Sequence, residues 1–308
     1  MTVPRKHHWL PKMFLSAWTS DGSTTGQLQV MDKKSLHRWN VKPVNAAVER
    51  DLYMIDMAEI EGDIVATEIE DTFATIEGVA APVIKSILDG NEIPTGEDRE
   101  ALIALIAIMA IRVPARLDWI DDVMRAPVEA CLHRLEANGE LPLPEDPELA
   151  AKMKEWISQG LIQVQIKQNP RLAMMVSMLP TVMDLLMRRH WSALRVSAGS
   201  GDLICVDHPV LLEWIRPVPA GASPGFGLHN TAVFVPIGPE TALLGLWDAE
   251  PQTHLLANQQ VAFWNGELLG HVDRFVFSRG DFVAMHLSGE LDNSAKVLER
   301  WSKNVATT

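Results

Sequence analysis

Residues 101–114, ALIALIAIMAIRVP, hold eleven apolar side chains in a row, followed by Arg112. A helix that is apolar on every side is either buried in a protein core or spans a membrane. Because the run is well short of the roughly 20 residues that a bilayer requires, it predicts a buried core helix. Thr95, with Asp98 three residues later, supplies the start signal, and Pro114 ends or kinks the helix.

Helical periodicity continues on both sides of this core helix. Upstream, apolar residues recur at near-helical spacing from about Gly62, and Gly90 can close that helix. Downstream, the segment LPLPEDPE (141–148) is the clearest linker. Further helices are expected over residues 117–135, 149–158 and 172–191. We interpret the apolar run at 172–187 as a second buried core helix, so no membrane partner is expected.

The pattern changes to short strands after Ser192. One hairpin is expected over residues 194–206, with a turn at 199–202, and another over 233–246, with its turn at Gly238-Pro239. Residues 216–228 are interpreted as a long loop. The remaining elements are a helix at about 257–271, a strand at 275–278 and a terminal helix at about 293–302.

The N-terminal residues are irregular, with short elements. Residues 11–18 are expected to form one or two helical turns, residues 21–26 a turn, and residues 27–31 and 52–55 strands. The whole pattern predicts an α+β fold, with a helical N-terminal layer packed on a C-terminal antiparallel β-sheet. The regions are an N-terminal arm (1–60), a helical region (61–191) and a β-rich region (192–308), which we interpret as one integrated domain.

Composition and charge exclude several classes of protein. The 308 residues are 47% hydrophobic and 22% charged, which is typical of a globular protein. The only two cysteines, Cys131 and Cys205, form no CxxC pair, which favours a reducing compartment and hence the cytoplasm. The N-terminus carries no secretory pattern. Because the net charge is −13 and Lys and Arg are scattered, nucleic acid is not an expected partner.

Motifs that identify the common enzyme classes are absent from the sequence. It contains no GxxxxGK[ST], no HExxH, no EF-hand loop, no GxSxG and no kinase signature. The stretch GASPGFG (221–227) lies in a Pro-rich loop and does not follow a strand, so it does not predict a dinucleotide site.

Polar residues in apolar or rigid surroundings are therefore the candidates for function. His7 and His8 are adjacent, so in extended chain they point to opposite faces, and either can ligate a metal, act as a base or simply anchor the N-terminal segment. Arg112 closes the apolar helix and must be paired or reach a cavity. It can clamp an anion, or form a structural salt bridge with Glu77. Glu77 and Glu70 lie on one helical face, where exposure to solvent or pairing with Arg112 are the alternatives.

Two further candidates come from the C-terminal third. Asp207 follows a short apolar strand and precedes His208-Pro209, which suits a site residue and equally an Asx-turn. Asn265 is a weaker candidate, for which a helix-capping role is the main alternative. If a divalent metal is bound, His8 and Asp207 are its candidate ligands.

Short stretches along nearly the whole chain carry a family resemblance. They are HHWLPKMFL (7–15), DLYMID (51–56), TIEG (75–78), IRVP (111–114), LICVDHPV (203–210), FVPIGPETALL (234–244) and WNGELLGHVDRFVFS (264–278). Together they resemble the bacterial DUF4238 family, a domain of unknown function, over about residues 6–280. The family usually has Ser where Val206 stands, so a catalytic Ser before Asp207 is excluded. The resemblance implies positions to examine and no activity.

The leading functional hypothesis is an intracellular hydrolase that acts on a small anionic or phosphate-bearing molecule. In it, His7 or His8 is the base or metal ligand, Asp207 and Glu77 are carboxylate partners, and Arg112 is the anion clamp. Two alternatives stay open: a non-enzymatic ligand-sensing or assembly protein of a bacterial accessory system, and a metal-dependent nuclease. No pattern in the sequence predicts the oligomeric state.

Overall fold

The structure is a computed structural model that describes residues 5–59, 65–162, 164–215, 221–250 and 252–305. Helices occupy most of the first two thirds of the chain and return near its end. They are α1 (Lys12–Leu15), α2 (Glu68–Leu88), α3 (Gly96–Ile111), α4 (Pro114–Asn138), α5 (Pro147–Ser158), α6 (Gln168–Met187), α7 (Asn258–Gly270) and α8 (Ser294–Val305).

Strands lie at the N-terminus and in the last 120 residues or so, and with the helices they confirm the α+β class. They are β1 (Lys6–His8), β2 (Leu28–Asp32), β3 (Arg38–Val41), β4 (Val48–Arg50), β5 (His190–Val196), β6 (Cys205–Val206), β7 (Leu211–Trp214), β8 (Thr231–Gly238), β9 (Thr241–Leu246), β10 (His254–Leu256), β11 (Phe275–Ser278), β12 (Val283–Met285) and β13 (Leu291–Asn293).

The strands form several sheets, whereas the sequence predicted one antiparallel sheet. A five-stranded sheet has the order β10-β5-β9-β8-β7, and a four-stranded sheet has the order β3-β2-β11-β6. The β1-β4 and β12-β13 pairs form two-stranded ladders. The β10-β5 pair is parallel, so the larger sheet is mixed. Because β2 pairs with β11, the N-terminal arm completes a sheet with strands from the end of the chain.

Helix α3 forms the centre of the larger core, as its sequence predicts. All of its residues from Ala101 to Ile111 are buried, and it packs against α2 and α6. Pro114 occupies the first turn of α4, where its missing N–H costs nothing, so the helix that ends at Ile111 is followed at once by another. A second core includes Phe234 of the larger sheet and Val276 of the smaller one, together with the inner face of α7.

Helix α6 differs from the prediction of a core helix. Its buried residues are Leu172, Met175, Val182 and Leu186, which lie along one stripe, while Val176 on another side is exposed. Among the described residues, α6 is the one helix long and apolar enough to cross a membrane by length and composition, and 22% of its apolar window is buried. It ends at Met187, because the chain turns at Arg188 and Arg189 into β5.

Two predicted strand elements are wrong. Residues 52–55 form no strand, because β4 ends at Arg50 and Asp51 adopts a left-handed conformation with φ of 59°. The hairpin at 194–206 does not form either: β5 pairs with β9 and β10, and β6 pairs with β11 in the other sheet. The hairpin of β8 and β9 is confirmed. Of the other predictions, the start of the first long helix near residue 62 and part of the loop at 216–228 lie outside the described residues.

Candidate active site

Arg112 is the centre of a buried polar cluster at the C-terminal end of α3. Its side chain is fully buried, Nη1 donates a hydrogen bond to Glu77 Oε1 at 2.7 Å, and Nε donates to the Trp9 carbonyl oxygen at 2.9 Å. The guanidinium also lies over the Phe73 ring, 5.4 Å from its centroid. The salt bridge to Glu77, one of the two alternatives read from the sequence, is therefore present.

Helix α2 presents an acidic and aromatic stripe to Arg112. Glu70, Phe73 and Glu77 are spaced three and four residues apart, which places them on one helical face. Glu77 is paired with Arg112, and its side chain is 21% exposed. Glu70 is partly buried, and its Oε2 atom has no hydrogen-bond partner among the described residues.

Glu70 has the ionisation behaviour of an acid–base group. Burial raises its pKa to about 7, since it removes the carboxylate from water, and the negative charge of Glu77 acts in the same direction. The positive charges of Arg112 and Lys12 oppose the shift. A carboxyl with a pKa near 7 is present in both protonation states at neutral pH, as a group that gives and takes protons requires.

The two N-terminal histidines point to opposite faces, as predicted for adjacent residues of an extended chain. His7 is fully buried, its Nδ1 accepts a hydrogen bond from the Tyr53 amide, and its ring stacks on the Tyr53 ring at 5.7 Å. His8 is partly buried, and its Nε2 lies 3.1 Å from the Val44 carbonyl oxygen. Because that carbonyl only accepts, Nε2 donates, which leaves Nδ1 of the neutral ring as an acceptor.

Burial lowers the pKa of His8 to about 4, and the charges of Lys12 and Arg112 add to this effect. His8 is therefore neutral near pH 7, and it belongs to the same electrostatic neighbourhood as Glu70. Tyr53 joins the cluster by donating its hydroxyl hydrogen to the Arg112 carbonyl oxygen, and burial raises the pKa of Tyr53 well above its usual range. The cluster thus holds one buried cation, one acid that titrates near neutrality and one neutral imidazole.

Three buried polar atoms of this cluster have no hydrogen-bond partner among the described residues. They are the donors Trp9 Nε1 and Arg112 Nη2 and the acceptor Glu70 Oε2. Buried polar atoms in native proteins are nearly always paired, and exceptions occur at sites that bind water, ions or substrates. We take this cluster as the candidate active site because it combines such atoms with a carboxyl whose pKa is raised to about 7.

Asp207 holds a turn elsewhere in the smaller sheet. Its Oδ2 accepts hydrogen bonds from the amides of Arg274 (2.6 Å) and Phe275 (2.8 Å), and its Oδ1 accepts from the Asp273 amide at 3.2 Å. Burial raises the pKa of Asp207, while these bonds pull it down. Both carboxylate oxygens are occupied by the turn before β11, in place of the local Asx-turn considered from the sequence.

Asn265 is a buried clip inside α7, so the capping role weighed for it is wrong. Its side-chain oxygen accepts from the Ile204 amide, and its nitrogen donates to the carbonyl oxygens of Asp202 and Val283. These bonds tie the segment before β6 to the helix, which also explains why residues 203–206 leave the predicted hairpin. Both N–H donors of the amide and one lone pair of its oxygen are thus used by the fold.

A ligand set for a metal ion is not apparent. No group of three or more His, Cys, Asp or Glu side chains placed to hold a metal occurs in the part of the chain that the structure describes. His8 Nε2 is engaged by Val44, and Asp207 is engaged by backbone amides. The metal predicted from His8 and Asp207 stays a prediction.

A family model described as protein of unknown function (DUF4238) matches residues 6–282 of the chain. The chain belongs to the DUF4238 family. That description carries no activity, so the function of this DUF4238 protein has to be argued from its own residues. No curated protein and no solved structure matches it.

Several stretches on which the DUF4238 resemblance rests lie in contact. Trp9 of the opening stretch accepts a hydrogen bond from Arg112, and its ring stacks on Phe275 at 6.3 Å. Phe275 in turn donates to Asp207. The candidate active site is therefore linked through Trp9 and Phe275 to the Asp207 turn, although the two predicted carboxylates, Glu77 and Asp207, serve different local structures.

Sequence reasoning underrated two residues of the DUF4238 protein. Glu70 was interpreted as solvated or paired with Arg112, although its position one turn before the buried Phe73 signals partial burial. The second is His271, whose Nε2 lies 2.5 Å from Glu213 Oε1, and this contact raises the pKa of the imidazole. Burial lowers the pKa of the nearby His208 to about 4. The separation of His271 from Glu213 along the chain left no local signal for their pairing.

Proposed function

We propose that this DUF4238 protein is a hydrolase that acts by acid–base chemistry on a small anionic molecule, with Glu70 as the group that moves the proton. The observation that carries this proposal is the Glu70 carboxyl: its pKa is about 7, its Oε2 has no hydrogen-bond partner in the described part of the chain, and the charge of the buried Arg112 acts on it. A titratable group whose pKa is strongly shifted beside a specific charge partner is a functional-site candidate on physical grounds.

The anionic class of substrate follows from the charges around Glu70. Lys12 is exposed and acts electrostatically on both Glu70 and His8, with Arg112 behind them. Glu77 pairs with Arg112, Asp71 adds a further negative charge near Glu70, Glu70 is partly protonated at neutral pH and His8 is uncharged. The support for an anionic substrate is the pair of cations, Lys12 and Arg112, which can bind a carboxylate or a phosphate.

The proposed reaction needs only water as the second reactant. The Glu70 carboxylate takes a proton from water while the water oxygen bonds to the acyl carbon or phosphorus of the substrate. The bond to the leaving oxygen then breaks, and Glu70 returns the proton to that oxygen. Nδ1 of neutral His8 accepts the second hydrogen of the water and orients it. Arg112 Nη2 supplies a hydrogen bond and positive charge, which stabilise the negative charge that develops.

The proposed location is the bacterial cytoplasm. Cys131 is exposed and Cys205 is buried, and both are free thiols. An exposed free thiol is typical of a reducing compartment.

The test is hydrolysis of p-nitrophenyl phosphate, p-nitrophenyl acetate and p-nitrophenyl hemisuccinate between pH 5 and 9. For the substrates that are cleaved, we expect kcat/KM to rise as the pH passes through about 7, because the Glu70 carboxylate is the base. In Glu70→Gln, kcat/KM should fall at least 100-fold, the range typical of a lost general acid–base group. The matched control is Glu100→Gln, an exposed glutamate of α3, which should stay within about twofold of the parent chain. Absence of hydrolysis across the panel, or full activity of Glu70→Gln, would overturn the proposal.

A second candidate is the ligand-sensing or assembly protein. The observation in its favour is that the side chains of Arg112, Asp207 and Asn265 all form hydrogen bonds with the backbone of the protein. In that case their alanine variants lose stability, and no chemical step is lost. The same hydrolysis panel separates the two candidates. The nuclease alternative stays a prediction from the sequence.

A further inference from the structure

A cleft lies along one edge of β5 in the larger sheet, and we call it the β5 cleft. Its volume is about 340 Å³, and it is bounded by β5, by the linker between α2 and α3 and by the chain just before β10. Its lining includes Glu92, Thr95, Arg99, Trp191, Ala193 and Thr253. Glu70 lies in the first turn of α2 and the linker follows its last turn, so the β5 cleft is distinct from the candidate active site.

Part of the β5 edge has no neighbouring strand. β5 pairs with β9 over residues 190–195, whereas β10 covers its other edge only over residues 194–196. The Val196 amide donates to the Glu240 carbonyl oxygen beside β9, and the Ser197 amide donates to Leu256 of β10. Since backbone groups alternate in direction along a strand, the even-numbered residues of β5 bond toward β9 and the odd-numbered residues bond toward β10.

Trp191 is an odd-numbered residue that β10 does not reach. Its N–H and C=O are therefore directed to the side of the cleft, and neither has a backbone partner in the part of the chain that the structure describes. The residue before it on that edge, Arg189, has its carbonyl oxygen capped by the Arg99 guanidinium at 3.0 Å. An uncapped N–H and C=O on a strand edge form a template for pairing with another extended chain.

The two ends of the β5 cleft carry opposite charges. The Arg195 guanidinium donates to the Asn91 carbonyl oxygen, and Arg99 donates to the Arg189 carbonyl oxygen. The chain from 91 to 99 therefore runs in the direction opposite to β5, which places Glu92 toward the β10 end of the cleft and Arg99 at the end where β5 begins. Arg195 itself does not line the cleft.

We propose that the β5 cleft binds a short peptide in an extended conformation, whose middle residue exchanges both backbone hydrogen bonds with Trp191. Either strand direction can use both groups of Trp191, and the charges select the antiparallel one. The peptide ammonium group then lies toward Glu92 and its carboxylate toward Arg99. Because the cleft is at the small end of the range for ligand pockets, the peptide has about three residues.

Titration calorimetry on the full chain tests the peptide class. The probes are Ala-Val-Ala, Ala-Leu-Ala and Ala-Lys-Ala, and we expect the best of them to bind with a Kd of about 1 mM or below. Methylation of its middle amide nitrogen removes the donor to the Trp191 carbonyl oxygen and should weaken binding about tenfold or more. Acetylation of the N-terminus and amidation of the C-terminus should each weaken binding about threefold or more.

Cleft variants locate the bound peptide. Thr253→Trp and Thr95→Trp fill the cleft from exposed positions on the chain before β10 and on the linker, and both should abolish binding. The matched control is Thr24→Trp, an exposed threonine in the turn before β2, which should bind as the parent chain does. Thermal melts followed by circular dichroism establish that each variant is folded.

Four results would overturn this inference. They are the failure of all three peptides to bind, equal affinity for the methylated and unmethylated forms, equal affinity for the blocked and free termini, and binding that survives both cleft variants. The inference does not depend on the proposed function. Hydrolysis of the p-nitrophenyl substrates should therefore be unchanged in Thr253→Trp, while peptide binding should be unchanged in Glu70→Gln.

Discussion

Two glutamates on the same face of α2 have different electrostatic surroundings. Glu77 forms a direct ion pair with Arg112, whereas Glu70 has one buried carboxylate oxygen that finds no partner among the residues described, and a pKa raised to about 7. The difference arises because Glu77 pairs directly with the guanidinium, whereas burial of Glu70 without such an ion pair favours its protonated form. The sequence favoured Glu77 as the site residue, whereas the structure adds Glu70.

The stability of the chain should reflect the Glu70 pKa. Since the folded-state pKa is above the unfolded value near 4.5, the stability that the protonated carboxyl contributes is complete below about pH 4.5 and is lost as the pH rises through about 7. Glu70→Gln removes this loss, so its free energy of unfolding relative to the parent chain should rise by about 1–2 kcal/mol between pH 4.5 and 8, after allowance for solvent screening.

Urea unfolding at pH 4.5, 6 and 8 measures this difference. Glu100→Gln, exposed on α3, should differ from the parent chain by a constant amount across the range. A constant difference for Glu70→Gln as well would mean that its carboxyl titrates as it does in water.

At the scale of elements, the turn before β11 is held by one side chain, Asp207, which directly follows β6. Asp207 accepts from three consecutive amides, those of Asp273, Arg274 and Phe275. The turn thereby presents β11 to β2 on one side and to β6 on the other, which completes the smaller sheet. The carboxylate that the sequence predicted to serve a site is the one that holds this turn.

Replacing the Asp207 carboxylate with a methyl group should lower the free energy of unfolding more than replacing it with an amide. Asp207→Ala leaves three amides without an acceptor, and we expect a loss of about 2–4 kcal/mol in the free energy of unfolding. Asp207→Asn keeps one acceptor oxygen and should lose roughly half as much. Urea unfolding at pH 7 measures both. Equal losses would show that charge, and not the number of accepting oxygens, holds the turn.

At the scale of the whole molecule, the N-terminal and C-terminal parts of the chain share structure. Strands β2 and β11 pair over four residues, and Trp9 stacks on Phe275. The Trp18 indole also donates to the Leu203 carbonyl oxygen, 185 residues away. These links join the predicted arm to the β-rich region, while α3 joins both to the helices.

Such interlocking predicts one cooperative unfolding transition. Far-UV circular dichroism, which follows the helices, and tryptophan fluorescence, which follows side-chain packing in the arm, the helices and the sheets, should give coincident urea curves. Two separated transitions would contradict the integration of residues 1–60, 61–191 and 192–308 into one domain.

The elements recovered from the sequence are those with a strong local signal. The apolar run in α3 is consistent with a single structure, a buried helix, and the β8–β9 hairpin combines two apolar strands with a Gly-Pro turn. The hairpin at 194–206 failed because alternation shows that a segment is extended but does not show which strand it pairs with. For the site, the sequence indicated Arg112 and Glu77, since a charge that ends an apolar helix needs a partner.

The sequence alone therefore determined the α+β class, the core helix, the need of Arg112 for a partner and the family, because these depend on local periodicity, on the cost of burying a charge and on short ordered motifs. The tertiary structure was required to identify Glu70 as the residue with a raised pKa, to assign Asp207 and Asn265 to the fold and to reveal the cavity between α2 and α6. A pKa, a hydrogen-bond partner and a cavity all depend on atoms brought together from distant parts of the chain, and no local pattern encodes those distances.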